Sequence, residues 1–375
     1  MIACLETLSV PDGLYIDGEF VQARDAAREE IINPATEDAI GTVQIAGVRE
    51  AQAAICAARA AFDAGPWPRM RVRERISCLE RMYQALALRA QAICDLIVAE
   101  AGAVKSSARA RQFDVPMKHF RHCLDTADRH PVRALAPEIT PNPSGTKTLG
   151  TAFVVREPVG VVAAITPYNY PYFLNLAKVV PALLTGNTVI LKPSPYTPFQ
   201  ALVLATVARD AGLPKGVFNV ITGGTAVGEE LTRDARVDLI SFTGSDAVGS
   251  AIAAQSAPTL KRLVLELGGK SALIVRHDAN ERMALAQALR GFTSHAGQGC
   301  AMNTRVLVHN SLRERFVEQL AEAARAVKVG DPADPATEMG PLIRSGARDR
   351  VERYVALGLE SGAKLKAGGR RPPTL

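Results

Sequence analysis

Between residues 159 and 267 the chain repeats one pattern: a short run of apolar residues, then a stretch of helical character. The runs are VGVVAAI, NTVILK, GVFNVI, VDLISF and LKRLVLEL, and the intervening stretches fall near 173–185, 197–211, 225–234 and 246–256. Successive side chains of a strand point to opposite sides, so a strand that is apolar throughout has no solvent face. Such strands, separated by helices, predict a parallel sheet covered on both faces and an α/β fold class.

In a sheet of this kind ligands bind outside the carboxyl ends of the strands, which makes the residues after each run informative. They read Thr166-Pro167-Tyr168-Asn169, Lys192-Pro193-Ser194-Pro195, Thr222-Gly223-Gly224, Thr243-Gly244-Ser245 and Glu266-Leu267-Gly268-Gly269. One crevice is thereby offered an amide, an ammonium, two glycine turns and a carboxylate. The glycine turns open helices, whose free N–H groups and dipole suit a phosphate. Neither GGTAVG nor GSDAVG has the G-x-G-x-x-G spacing, and plain tight turns also account for them. Lys192 can reach a ribose or a phosphate, or can simply solvate a surface. Glu266 closes a strongly apolar strand, so its carboxylate is expected to be desolvated, paired or functional.

Residues 11–45 look like edge strands and loops. Helical patterns cover Val48 to Phe62, Arg71 to Ala101 and Ser106 to Arg129, the last stopping before His130-Pro131 because the residue preceding proline is pushed out of the helical region. Residues 133–160 carry Pro and Gly turn signals between two strand-like arms, which fits a protruding hairpin or an ordinary surface loop. Further on, GFTSHAGQGCAMNTR at 291–305 places Cys300 after the small-residue run Ala296-Gly297-Gln298-Gly299. That run leaves room for a substrate to reach the sulfur; a small hydrophobe packed in a core is the other reading.

The 375 residues are 47% hydrophobic, enough for a sizeable core. The net charge of +6 comes from arginines interspersed with acids, as in RMRVRERISCLERM, a pattern of solvated helix faces rather than of a nucleic-acid-binding surface. Six cysteines without C-x-x-C pairing and six scattered histidines suggest no metal site and a reduced, cytoplasmic setting. No secretory pattern and no membrane-length apolar run are present, so no membrane partner is expected.

TPYNYP, ILKPSP, SFTGSDAVG, LELGGKSA and GFTSHAGQGCAMNTR, in this order and spacing and joined by GDPADPATEMGPLI at 330–343, resemble the NAD(P)-dependent aldehyde dehydrogenase superfamily. The likeness runs from about residue 14 to the last residue. It implies a Rossmann-type cofactor domain over residues 1–132 and 157–266, an oligomerisation hairpin over 133–156 and an α/β catalytic domain over 267–375. It also implies that Cys300 is the nucleophile, Glu266 the general base and Asn169 the side-chain half of an oxyanion hole shared with the Cys300 backbone N–H. NAD or NADP would lie against Ile165, Thr166, Pro167, Tyr168, Lys192, Ser194, Gly224, Gly228, Phe242, Thr243, Gly244, Ser245, Val248, Leu267 and Gly268. Lys192 would hold the adenosine ribose, and Ser245 with the turn from Gly244 to Gly249 would contact the pyrophosphate. The implied reaction converts an aldehyde to a carboxylic acid through a thioester on Cys300, hydrolysed by water that Glu266 activates. Homodimers or homotetramers are the implied assembly of the full-length form.

Three departures modify this picture. Tyr168 stands where the superfamily usually has tryptophan. Pro195 stands where NAD-preferring members often place a ribose-binding glutamate, which leaves NADP admissible. The chain reaches Leu375 before the superfamily's usual end, so an incomplete catalytic domain, an unpaired sheet edge and weak turnover are expected, with an inactive or merely cofactor-binding member as the alternative. The resemblance also implies a substrate pocket lined by the loops around Tyr172 and Phe173 and by the positions flanking Cys300, where Ala301 and Met302 suggest an apolar channel for aliphatic or aromatic aldehydes.

Overall fold

A computed structural model describes residues 3–25, 27–129 and 132–372. His130 and Pro131, the expected helix stop, lie outside them. The five apolar runs form the parallel part of a seven-stranded sheet. Its order is Arg262–Leu267, Leu239–Gly244, Val161–Ile165, Thr188–Lys192, Phe218–Val220, and then the antiparallel pair Leu14–Ile16 and Glu19–Val21. In chain order the sheet grows one way from Val161–Ile165 through Phe218–Val220, then returns to grow the other way. The reversal falls between Val161–Ile165 and Leu239–Gly244, and such a switch point opens a crevice at the strands' carboxyl ends.

Every residue of Val161–Ile165, Thr188–Lys192 and Phe218–Val220 is buried. Side-chain alternation divides the apolar residues between two cores. Val161, Ala163, Ile165 and Ile190 pack with Ala54 and Ala58 of helix Val48–Asp63, Leu231 of Thr225–Arg233 and Ile252 of Asp246–Ser256. Val162, Ala164, Val189 and Leu191 pack on the other face with Leu176 and Val179 of helix Pro171–Leu184 and Leu202 of Phe199–Asp210.

The expectation of two covered faces fails at Arg262–Leu267. This strand has a partner on one side only, and it alternates exposed and half-buried residues. Leu263, Leu265 and Leu267 pack inward, whereas Arg262, Val264 and Glu266 lie on the open face.

The long helical pattern from Arg71 is two helices, Val72–Leu88 and Ala90–Ala101, bent by 71°. Arg89 breaks it with a non-helical backbone, and its guanidinium donates to the Ala85 carbonyl at 3.0 Å. The next segment is also divided: a turn at Lys105–Ser107, a π-helical stretch at Ala108–Phe113 and an α-helix at Asp114–Thr126. Pro116 explains the restart, since a residue without an N–H fits a first helical turn, where no intrahelical bond is lost.

Residues 132–155 form the protruding hairpin rather than an irregular loop. Val132–Ala134 pairs with Phe153–Val155 and Glu138–Pro141 with Lys147–Gly150, and all four strands are exposed. Beyond the main sheet, Ala272–Val275 pairs in parallel with Arg305–Val308. Val275, Ala288, Leu312 and Phe316 build a small separate core there. Among the described residues no single helix is long and apolar enough to cross a membrane.

Candidate active site

The loop after the central strand fixes the rim of the crevice. Thr166 donates its N–H to the Lys192 carbonyl at 3.1 Å and its hydroxyl to Asn175 Oδ1 at 2.7 Å. Pro171 then starts helix Pro171–Leu184, a position where its missing N–H costs nothing. Asn169 is thereby held in place and buried, with Oδ1 accepting from the Tyr170 N–H at 3.1 Å. Its Nδ2 donates to the Gln298 carbonyl at 2.7 Å. The sheet loop is thus joined to the segment that ends, two residues later, in Cys300.

Cys300 is exposed, so the reading of it as a packed core residue does not hold. It follows helix Glu281–Thr293 and a tight turn at Ser294–Gly297. A Cβ on Gly299 would meet Met302 Cε at 2.2 Å, so a larger residue there would displace the end of that side chain. Burial raises the Tyr170 hydroxyl pKa, and Arg111 opposes that shift. Arg111 also donates to Ser294 Oγ at 3.2 Å. His295 is 4% exposed, and burial pushes its imidazole down to about 4 against the opposing pull of a hydrogen bond to the Asn169 backbone. A neutral, buried ring does not serve as a cationic neighbour for the Cys300 thiolate.

Glu266 lies on the open face of its edge strand, in register with Thr243. The expectation that it is desolvated is therefore corrected: an edge position leaves the carboxylate in water. Among the described residues no hydrogen bond joins Glu266 to Cys300. Its charge is felt instead by Lys178, which is buried and donates to Ser241 Oγ at 3.0 Å. Burial pushes the Lys178 ammonium down to about 8, and Glu266 pulls the other way. Lys178 had a visible signal in the sequence, a lone cation within the apolar helix PYFLNLAKVVPALL.

The cofactor positions surround the same crevice. Lys192 is buried, bends back to the Pro193 carbonyl at 3.4 Å and is pushed down to about 8 by burial. Its stem passes Gly228, where a Cβ would sit 3.8 Å from Lys192 Cε. Gly224 caps helix Thr225–Arg233 without a side-chain bond, and nothing lies within 4 Å of a Cβ built on it or on Gly268. Ser245 Oγ accepts from the Val248 N–H at 3.3 Å at the start of helix Asp246–Ser256. Ser194 Oγ accepts from the Tyr196 N–H at 3.3 Å, and Tyr168 meets Tyr196 edge-on at 6.3 Å. Ile165 and Phe242 are cross-strand partners at the switch point. Among the described residues the buried Thr243 hydroxyl has no partner. Two helix N-termini, an ammonium and an unpaired hydroxyl around open glycines fit a dinucleotide, whose pyrophosphate and riboses need such donors.

Tyr172 does not line a channel: it is fully buried, stacks on Phe113 at 5.5 Å and meets the Met117 sulfur at 3.3 Å. A cavity of about 1200 Å³, lined among others by Pro158, Val159, Asn187 and Val237, opens at the opposite, amino end of the strands, away from these residues. Among the described residues no group of side chains could hold a metal ion.

A doubly wound sheet with these groups at its switch point, tethered to an exposed thiol, defines an enzyme of the nucleotide-cofactor class. Residues 20–375 match the model of the Aldehyde dehydrogenase family. Betaine aldehyde dehydrogenase of Bacillus subtilis is 36% identical over 360 residues, covering 96% of this chain and 72% of that protein. Lactaldehyde dehydrogenase of Escherichia coli is 36% identical over 380 residues, covering 98% and 77%. The crystal structure of Staphylococcus aureus betaine aldehyde dehydrogenase in complex with NAD+ superposes with a TM-score of 0.90 at 34% identity, covering 99% of this chain and 72% of that one. The chain belongs to the aldehyde dehydrogenase family.

Proposed function

We propose that this protein oxidises an aldehyde to a carboxylic acid with NAD or NADP, using Cys300 as nucleophile. The observation that carries this reading is the bond from the Asn169 amide to the Gln298 carbonyl, which ties that amide to the segment leading to an exposed thiol. Cys300 attacks the aldehyde carbon as thiolate, giving a tetrahedral alkoxide. Asn169 Nδ2 has a second N–H, and with the Cys300 backbone N–H it stabilises the charge that develops on oxygen. Bound NAD(P) supplies the hydride acceptor. The Cys300 thioester that remains is opened by water, whose proton Glu266 takes; the acid leaves and the thiolate returns. Lys178 lies within the electrostatic reach of Glu266.

Lys192 and Ser194 are suited to the adenosine ribose, and the helix N-termini at Gly224 and Ser245 to the pyrophosphate. Ile165, Thr166, Pro167, Tyr168, Gly228, Phe242, Thr243, Gly244, Val248, Leu267 and Gly268 complete the cofactor surface in this reading. Pro195 places no carboxylate against a 2'-phosphate, so both cofactors are admitted. The same reading assigns residues 1–132 and 157–266 to cofactor binding, 133–156 to oligomer formation and 267–375 to catalysis. Exposed Ile139, Leu149 and Phe153 on the hairpin support assembly as a homodimer or homotetramer. Six free cysteines support a reducing cytoplasmic setting.

The named relatives act on aldehydes of differing charge, and the substrate class is better taken from Tyr170, Phe173, Ala301 and Met302, which favour an uncharged aliphatic or aromatic aldehyde. A panel of such aldehydes, scored by cofactor reduction, tests the reading. Turnover that vanishes in Cys300→Ala supports it; turnover unchanged in that variant, or acyl transfer without cofactor reduction, refutes it.

A further inference from the structure

His295, Ala296 and Gly297 are three consecutive residues in the left-handed region, at φ +50°, +53° and +75°. Glycine takes that conformation freely, whereas residues with a Cβ keep it only where their surroundings over-determine it. Here the surroundings are specific. The His295 ring is buried and meets Tyr170, the neighbour of Asn169 on the switch-point loop, edge-on at 5.2 Å. The His295 carbonyl accepts both the Gln298 backbone N–H and Gln298 Nε2, each at 3.1 Å. Gln298 in turn receives Asn169 Nδ2 on its carbonyl at 2.7 Å and the Ile343 N–H on Oε1 at 3.0 Å. One imidazole therefore touches the loop bearing the oxyanion amide, while its own backbone carries the segment bearing the thiol.

We propose that His295 is a positioning residue, whose buried ring locks the left-handed turn at 295–297 and so keeps the Asn169 amide and the Cys300 thiol in register. The inference rests on the function proposed above, in which these two groups act on one carbonyl. Burial of the ring and its low proton affinity fit a neutral anchor rather than a base. Asparagine tolerates the left-handed region, whereas leucine fills the space but resists that conformation.

The test compares wild type, His295→Leu and His295→Asn for steady-state turnover and for the rate of Cys300 alkylation by iodoacetamide, followed by mass spectrometry. His295→Leu is expected to lose about tenfold or more in kcat with little change in cofactor Kd, since small misplacements of reacting groups are costly. Its Cys300 alkylation is expected to slow by about fivefold, as access and environment set thiol reactivity. His295→Asn is expected to recover both to within about threefold of wild type. If His295→Leu does not fold, His295→Ala is read by the same two criteria. Wild-type kcat and alkylation in the Leu or Ala variant overturn the proposal, as does a folded His295→Asn no better than Leu. Wild type that oxidises no aldehyde refutes the proposed function instead, and the alkylation comparison still decides the role of His295.

Discussion

Asn169 Nδ2 and the Gln298 carbonyl stand 2.7 Å apart, and this bond joins the switch-point loop to the Cys300 segment. It occupies one of the amide's two N–H groups and leaves the other for a ligand. Asn169→Ala is expected to lower kcat by about 10²–10³, the usual cost of one oxyanion donor. The same change leaves the Gln298 carbonyl short of a donor, a loss of about 1–3 kcal/mol in stability. Kinetics and urea unfolding measure the two effects separately.

Pro195 follows Ser194 on the loop where a ribose-binding carboxylate is absent. Pro195→Glu adds a charge that repels a 2'-phosphate. The KM for NADP is expected to rise about tenfold or more, with that for NAD unchanged or lower, for a single buried like-charge contact. Parallel titrations with the two cofactors check this.

Lys178 is held in the folded protein at about 8, below its ordinary value of 10.5, chiefly by burial. Between those values the unfolded chain binds the proton that the folded chain has released, so stability rises with pH across the window from about 8 to 10.5. Lys178→Met removes this term and is expected to flatten the slope by up to about 1 kcal/mol per pH unit. Urea midpoints at the two ends of the window, in wild type and variant, show whether it does.

His295 gives the corresponding behaviour in acid. Its folded pKa is depressed from 6.5 to about 4, so the unfolded chain binds the extra proton in that window and stability falls as pH drops through it. The full loss is reached at the lower value. His295→Asn is expected to reduce the acid slope by up to about 1.4 kcal/mol per pH unit for a buried group, read from denaturant unfolding at stepped pH.

The parallel strands were legible because Val161–Ile165 and Thr188–Lys192 need apolar side chains on both faces, a pattern composition alone displays. LKRLVLEL looks much the same as a string, yet its exposure depends on having one neighbour instead of two, which no local pattern records. Glu266 is for that reason exposed rather than desolvated, and its functional reading stands apart from that. The bend at Arg89 was hidden because good helix formers occupy both sides of it, and tertiary packing decided the break. Lys178 was overlooked although a cation in an apolar helix is a readable signal. The resemblance places the loop around Tyr172 at the substrate pocket, whereas the Tyr172 ring itself belongs to the core. What no inspection of Cys300 reveals is the Asn169–Gln298 bond, because it closes 129 residues of chain.

The central claim is that the aldehyde's acyl group passes through Cys300. Glu266→Gln, mixed with cofactor and an aldehyde that wild type turns over, slows thioester hydrolysis and allows the intermediate to be trapped by acid quench. Peptide mass spectrometry is expected to find the acyl group on Cys300, matched by one equivalent of reduced cofactor per site. Reduced cofactor formed with Cys300 unmodified, or an acyl group on another residue, would contradict the account.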